Sequence, residues 1–126
     1  MDLKKYDTIT ACDSGAEMEL KDPITGDGLD AFITLAGVDS AAFRKAQDDC
    51  ASARIRNQVN TISIKDIRKE NIYSLASCTL AWRGIEEGGT PIPFSKQAVI
   101  DLYTRYPWVF EQVNAFIGNR ANYLRD

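Results

Sequence analysis

From Ala16 the chain alternates polar and apolar positions. Glu17-Met18-Glu19-Leu20-Lys21 has the two-residue period of a half-buried strand. Asp22-Pro23-Ile24-Thr25-Gly26-Asp27-Gly28 is dense in turn formers. Leu29 to Leu35 alternates less cleanly and ends apolar. The pattern predicts a β-hairpin over about residues 16–36. A lone hairpin is marginal in water, so it must lie on a helix or pair with another copy. Residues 1–15 are polar and end in glycine, and are expected to form a flexible lead.

After the hairpin the period changes to that of helices. Asp39 or Ser40 can cap a helix running from Ala41 to about Asn60. Its apolar face is made of small residues, Ala42, Ala46, Cys50 and Ala53, with Phe43 among them, so another helix can approach closely. Ser63 is the expected cap of a second helix, with Asp66 three residues on in a capping-box-like pair. Ile64, Ile67, Ile72, Leu75, Thr79 and Trp82 form one broad apolar stripe, and Gly84 stands where that helix would stop. Glu86 to Pro93 reads as a loop. Ser95 caps a third helix with Val99, Leu102 and Tyr103 inside. Pro107 suits the first turn of a fourth, where its missing N–H costs nothing. Val109, Phe110, Val113, Phe116, Ile117 and Leu124 line one side of that helix.

The expected fold class is therefore α+β, mostly α: an N-terminal hairpin followed by about four helices. At 126 residues one domain is expected, spanning 16–126 behind the flexible lead. A chain of this size buries a core without cross-links. Its cysteines, Cys12, Cys50 and Cys78, are odd in number and far apart, which predicts reduced thiols inside a cell. There is neither an apolar run of about 20 residues nor a signal-peptide core, so no membrane association is expected.

Charge is uneven. Residues 1–40 carry nine acids against three lysines, whereas residues 41–126 carry twelve bases against nine acids. Solvation accounts for most such patterns, but an acidic end and a basic end also allow contacts between copies, and a homo-oligomer is expected.

Candidate chemistry is sparse. Histidine is absent, which removes the commonest general base and metal ligand. Asp22, Asp27 and Asp30 do not have the spacing of an EF-hand. Gly26 and Gly28 begin no phosphate loop. Glu86 and Glu87 are adjacent on a glycine loop, where their carboxylates diverge and stay solvated. Arg44, Arg54, Arg56, Lys65, Arg68 and Lys69 would form a basic face for nucleic acid, but acids are interleaved and the whole chain is at −3. The expectation is no catalytic residue, no cofactor, no metal and no nucleic-acid partner.

Aromatic residues gather late. Both tryptophans, four of the five tyrosines and three of the five phenylalanines lie from Tyr73 onward. Core packing explains most of them. Tyr106, Trp108 and Tyr123 fall at predicted helix ends, where full burial is hard, and such residues are favoured anchors of interfaces.

Several segments together resemble the tail assembly chaperones of long-tailed bacteriophages. They are Met18-Glu19-Leu20-Lys21-Asp22-Pro23 with Thr25-Gly26, Leu35-Ala36-Gly37 with Asp39-Ser40, and Leu80-Ala81-Trp82 with Gly84. Pro93-Phe94-Ser95, Tyr106-Pro107-Trp108 with Gln112-Val113, and Arg120-Ala121-Asn122-Tyr123 complete the set. The order and spacing of these segments over roughly residues 15–124 carry the resemblance. It implies a small, mainly helical, non-catalytic protein of the host cytoplasm, absent from the mature virion. Such proteins bind the tape measure protein, a long helical chain that otherwise aggregates, and assist polymerisation of tail tube (major tail) subunits around it. Many members also exist in a longer frameshifted form. The residues expected to meet partners are Ala42, Ala46, Trp82, Tyr106, Trp108, Phe116 and Tyr123. The competing expectation is a structural virion component, such as a minor tail or head–tail joining protein. An enzyme or nucleic-acid modifier is a third class, disfavoured by the missing histidine and motifs.

Overall fold

The computed structural model describes residues 1–124. Its elements in order are α1 (Thr8–Ser14), β1 (Ala16–Lys21), β2 (Gly28–Leu35), α2 (Ala41–Arg56), α3 (Ile64–Cys78), β3 (Thr79–Arg83), β4 (Glu86–Glu87), β5 (Thr90–Pro91), α4 (Lys96–Arg105) and α5 (Pro107–Gly118). The class is α+β, mostly α, with α1 before the hairpin and four helices after it.

The hairpin forms as its alternation dictates. The Asp22 carboxylate accepts from the Ile24 and Thr25 amides at 2.7 and 3.2 Å, folding the turn locally. Met18 and Leu20 of β1 and Ala31, Ile33 and Leu35 of β2 are buried on one face. The three serines at helix starts act as caps: the Ser40, Ser63 and Ser95 hydroxyls accept from the amides of Phe43, Asp66 and Ala98. Pro107 opens α5, which has no side-chain cap.

Three expectations change. First, the stripe from Ile64 to Trp82 is not one helix. The backbone turns extended at Thr79, and residues 79–83 form β3, antiparallel to β2, giving a sheet of order β1-β2-β3. A short apolar run cannot distinguish helix from strand by period alone. The open edge of β2 supplies a partner that an isolated helix lacks. Ile33 pairs with Trp82 and Leu35 with Thr79, with Leu80 bulged out of register between Ala81 and Thr79. Gly84 is therefore not a helix stop. It has φ +77°, and a Cβ there would sit 2.6 Å from the Asp30 carbonyl oxygen, so glycine lets β3 leave the sheet against the start of β2.

Second, residues 8–14 take helical form. They form α1, capped by Asp7 at Thr10, with Cys12 fully buried. A Cβ on Gly37 would overlap Cys12 Sγ, so the hairpin exit and α1 touch without an intervening side chain. Asp13 accepts from the Ala41 amide at 2.8 Å, tying α1 to the start of α2. Third, the loop at 86–93 contains a tight two-stranded ribbon, β4 against β5, turning through Gly88-Gly89.

The core lies between the inner face of the sheet and α3, α4 and α5. Ile72, Leu75, Ala76, Val99, Leu102, Tyr103, Val109, Val113 and Ile117 close on Met18, Leu20, Ile33 and Leu35. Helix α2 is peripheral: Ala46 is its one buried residue, and it rests mainly on α3. Two polar details tie the layers. Thr79 Oγ1 donates to the Leu75 carbonyl at 2.9 Å and shares a buried 2.7 Å hydrogen bond with Tyr103 Oη. The Gln112 amide accepts from Lys21 N–H at 2.9 Å and donates to Lys21 C=O at 2.8 Å. It thus occupies the free edge of β1 as another strand would.

Candidate interaction surface

The seven residues expected to meet partners do not form one surface. Ala42 and Ala46 lie on α2 facing α3, where they line a cleft of about 350 Å³ with Ala76 and Ser77. The close approach that their small side chains permit is to α3 of the same chain. Ala46 is buried and Ala42 half-buried. Polar groups rim this cleft. Lys45 Nζ is 2.9 Å from Asp49 Oδ2, Tyr73 Oη donates to the same carboxylate at 3.2 Å, and Lys96 Nζ stands 4.2 Å from the Tyr73 ring centroid. The hydrogen bond from Lys45 chiefly holds the Asp49 carboxyl below its ordinary range.

Trp82 sits on β3, half-buried. Its indole N–H donates to the Ile92 carbonyl at 3.0 Å, and its ring meets Phe94 edge to face at 5.2 Å. Phe94 is the exposed partner of that pair. On the outer face of the sheet Arg83 stacks over Phe32 at 3.9 Å and makes two hydrogen bonds to Glu17, at 3.0 and 3.2 Å.

Tyr106 and Trp108 share a different hollow, of about 390 Å³, with Leu29, Ile85 and Glu87. Tyr106 Oη donates to Glu87 Oε2 at 2.6 Å, and this bond raises the phenol's pKa. Glu87 is therefore a structural acceptor tying the β4–β5 ribbon to the start of α5.

Phe116 and Tyr123 meet each other edge to face at 5.7 Å, near the end of the described chain. Tyr123 was expected to stay partly exposed, yet it is buried, because the chain after α5 makes one more helical turn and folds the ring back beside Gly37. Arg120 fixes that turn through two bonds to Asp39 at 2.6 and 2.8 Å, which hold the Asp39 carboxyl at a pKa of about 2. Ala46 and Tyr123 are thus buried within the chain.

No protein-family model, curated protein or solved structure matches this chain.

Among the described residues no cluster of three or more His, Cys, Asp or Glu side chains could hold a metal ion. Among the described residues no helix is long and apolar enough to cross a membrane. Cys12 and Cys78 are buried, and desolvation pushes both thiols up, Cys78 to about 11. Such thiols are inert rather than nucleophilic.

Two surface features escaped the sequence reading. Large aliphatic side chains stand exposed where α2 ends and α3 begins: Ile55 at 79%, Ile64 at 76%, Val59 at 43% and Ile67 at 42%. Ile64 and Ile67 continue the apolar stripe of α3, but the core ends at Ile72. The second feature is an apolar groove of about 460 Å³ between α3 and α4, edged by Lys65, Arg68 and Lys69. The sequence did carry a signal for it, because these cations recur at i, i+3 and i+4 with Ile72 at i+7, one helical face.

Proposed function

We propose that this protein is a non-catalytic tail assembly chaperone of a long-tailed bacteriophage. In this reading it acts in the host cytoplasm and is absent from the mature virion. It binds and solubilises the tape measure protein and assists polymerisation of the tail tube (major tail) protein around it. It works as a homo-oligomer, alone or with a longer frameshifted form of itself. The motif resemblance over residues 15–124 carries the proposal. The structural observation that supports it is the set of isoleucines and valine on the surface at the α2–α3 junction, outside the core. A chaperone for an amphipathic helical client needs apolar surface that is available in the folded state. Charged neighbours keep that surface soluble, as Arg54, Arg56 and Lys65 do here. Several copies along one client would then multiply weak contacts.

Co-expression with the longest coiled-coil protein encoded nearby, the expected tape measure, tests the reading. Solubilisation and co-purification of that protein support it. If the long protein stays insoluble while this chain is found in purified particles, the protein is a structural virion component instead. Trp108→Ala and Phe116→Ala map the aromatic surface. Unchanged client solubility with the fold intact removes those two residues from the interface.

A further inference from the structure

We propose that the groove between α3 and α4 is the docking site for an amphipathic α-helix of another protein, one whose polar flank is acidic. The inference deepens the chaperone reading by giving the client segment a chemistry.

The floor of the groove is apolar, formed by Ile72 and Ile100 with the Tyr73 ring, while one rim carries three cations, Lys65, Arg68 and Lys69. Five described cations, Lys21, Lys45, Arg54, Arg83 and Arg120, have a carboxylate partner, while Lys4, Lys5, Arg44, Arg56, Lys96 and Arg105 are without an ion pair. Among the described residues the three rim cations have no such ion pair. Lys69 also borders the α2–α3 hollow that Asp66 and Glu70 line, so Lys65 and Arg68 are the rim cations set on the groove side alone. Glu70 holds Arg54 on the α2 side at 2.6 Å, and Asp66 lines the α2–α3 hollow with it. Lys65 also sits in the first turn of α3, where the positive end of the helix dipole disfavours a cation. An external carboxylate would relieve that repulsion.

An apolar trough with charge along one rim is the geometry of helix-in-groove recognition. There apolar anchors at i, i+3, i+4 and i+7 enter the trough and charged flanks set the orientation. A second copy of this chain fits poorly. Leu3, Tyr6 and Ile9 of the N-terminal segment are exposed, but there Lys4 and Lys5 offset Asp2 and Asp7, so the segment offers the rim no net acidic flank. Nucleic acid is disfavoured by the apolar floor and the chain's overall charge of −3.

The test uses the full chain and two synthetic helical peptides in fluorescence anisotropy. Both have a leucine stripe; one is flanked by glutamates, its twin by lysines. The glutamate peptide is expected to bind about tenfold tighter or more, with the preference shrinking several-fold as salt rises from about 50 to 500 mM. Lys65→Glu/Arg68→Glu/Lys69→Glu should reverse the preference, and Lys4→Glu/Lys5→Glu should leave it intact. If circular dichroism shows that the triple reversal is unfolded, the triple glutamine variant reads the same preference without adding repulsion. Equal binding of the two peptides overturns the proposal. So does a preference that survives removal of the rim charge, or binding of duplex DNA with no preference between peptides. A chain that solubilises the long client yet shows no peptide preference sinks the groove and leaves the chaperone reading standing. A chain that prefers the glutamate peptide yet fails to solubilise that client does the opposite.

Discussion

Within α3, Ile72, Leu75, Ala76 and Cys78 are buried, while Ile64 and Ile67 are exposed at 76% and 42%. The same helix is packed at one end and presented at the other. At the packed end Leu75, Ala76 and Cys78 join the core formed with the sheet, α4 and α5. At the presented end it has α2 on one side and solvent on the other. Apolar residues at equal helical spacing thus differ in what they can do. One set fixes the fold, and the other is available to a partner.

The sharpest way to break this comparison is to truncate one isoleucine from each region. Ile33→Ala removes a side chain with no exposure from the centre of the sheet and should cost about 2–5 kcal/mol in urea denaturation. Ile64→Ala should cost less than about 0.5 kcal/mol. Comparable losses would mean that the α2–α3 junction belongs to the core.

The next effect concerns the buried polar link that turns helix into strand. Thr79→Val keeps the volume but removes the hydroxyl, leaving Tyr103 Oη in the core without its partner. The expected loss is about 1–3 kcal/mol, read as a lower urea midpoint. A neutral result would mean that another donor or acceptor reaches Tyr103. Gln112→Ala should cost about 1 kcal/mol and speed hydrogen exchange at the Lys21 amide, because the edge of β1 would open. Protection unchanged at Lys21 would show that water serves that edge equally well.

The smallest effect is electrostatic. Asp39 is depressed from the usual 3.8 to about 2, first by its hydrogen bonds from Arg120. A carboxylate whose folded pKa is lowered adds stability above its unfolded pKa and loses it as pH falls through the folded one. The wild-type urea midpoint should therefore decline between about pH 4 and pH 2, and Asp39→Asn should flatten that part of the curve. Identical slopes in the two proteins would mean that the Arg120 pair persists in the unfolded chain or does not form.

The sequence by itself determined the local structure: the alternation of the hairpin, the Asp22 turn, three serine caps and Pro107 at the head of α5. These depend on interactions within a few residues, and period, cap chemistry and turn chemistry all act at that range. The inward set Val99, Leu102 and Tyr103 was legible for the same reason. Tertiary structure decided what depends on a distant neighbour. Thr79 to Arg83 became a strand because β2 offered an unpaired edge. Helix α1 lies against the hairpin exit because Cys12 fits a niche beside Gly37. Ala46 and Tyr123 went inside because α3 and the turn after α5 closed over them. The groove on α3 exists because α4 runs beside Ile72 and leaves Lys65, Arg68 and Lys69 on its rim. A periodic stripe states which side of a helix is apolar, but only the packed neighbours state how far along that helix burial extends.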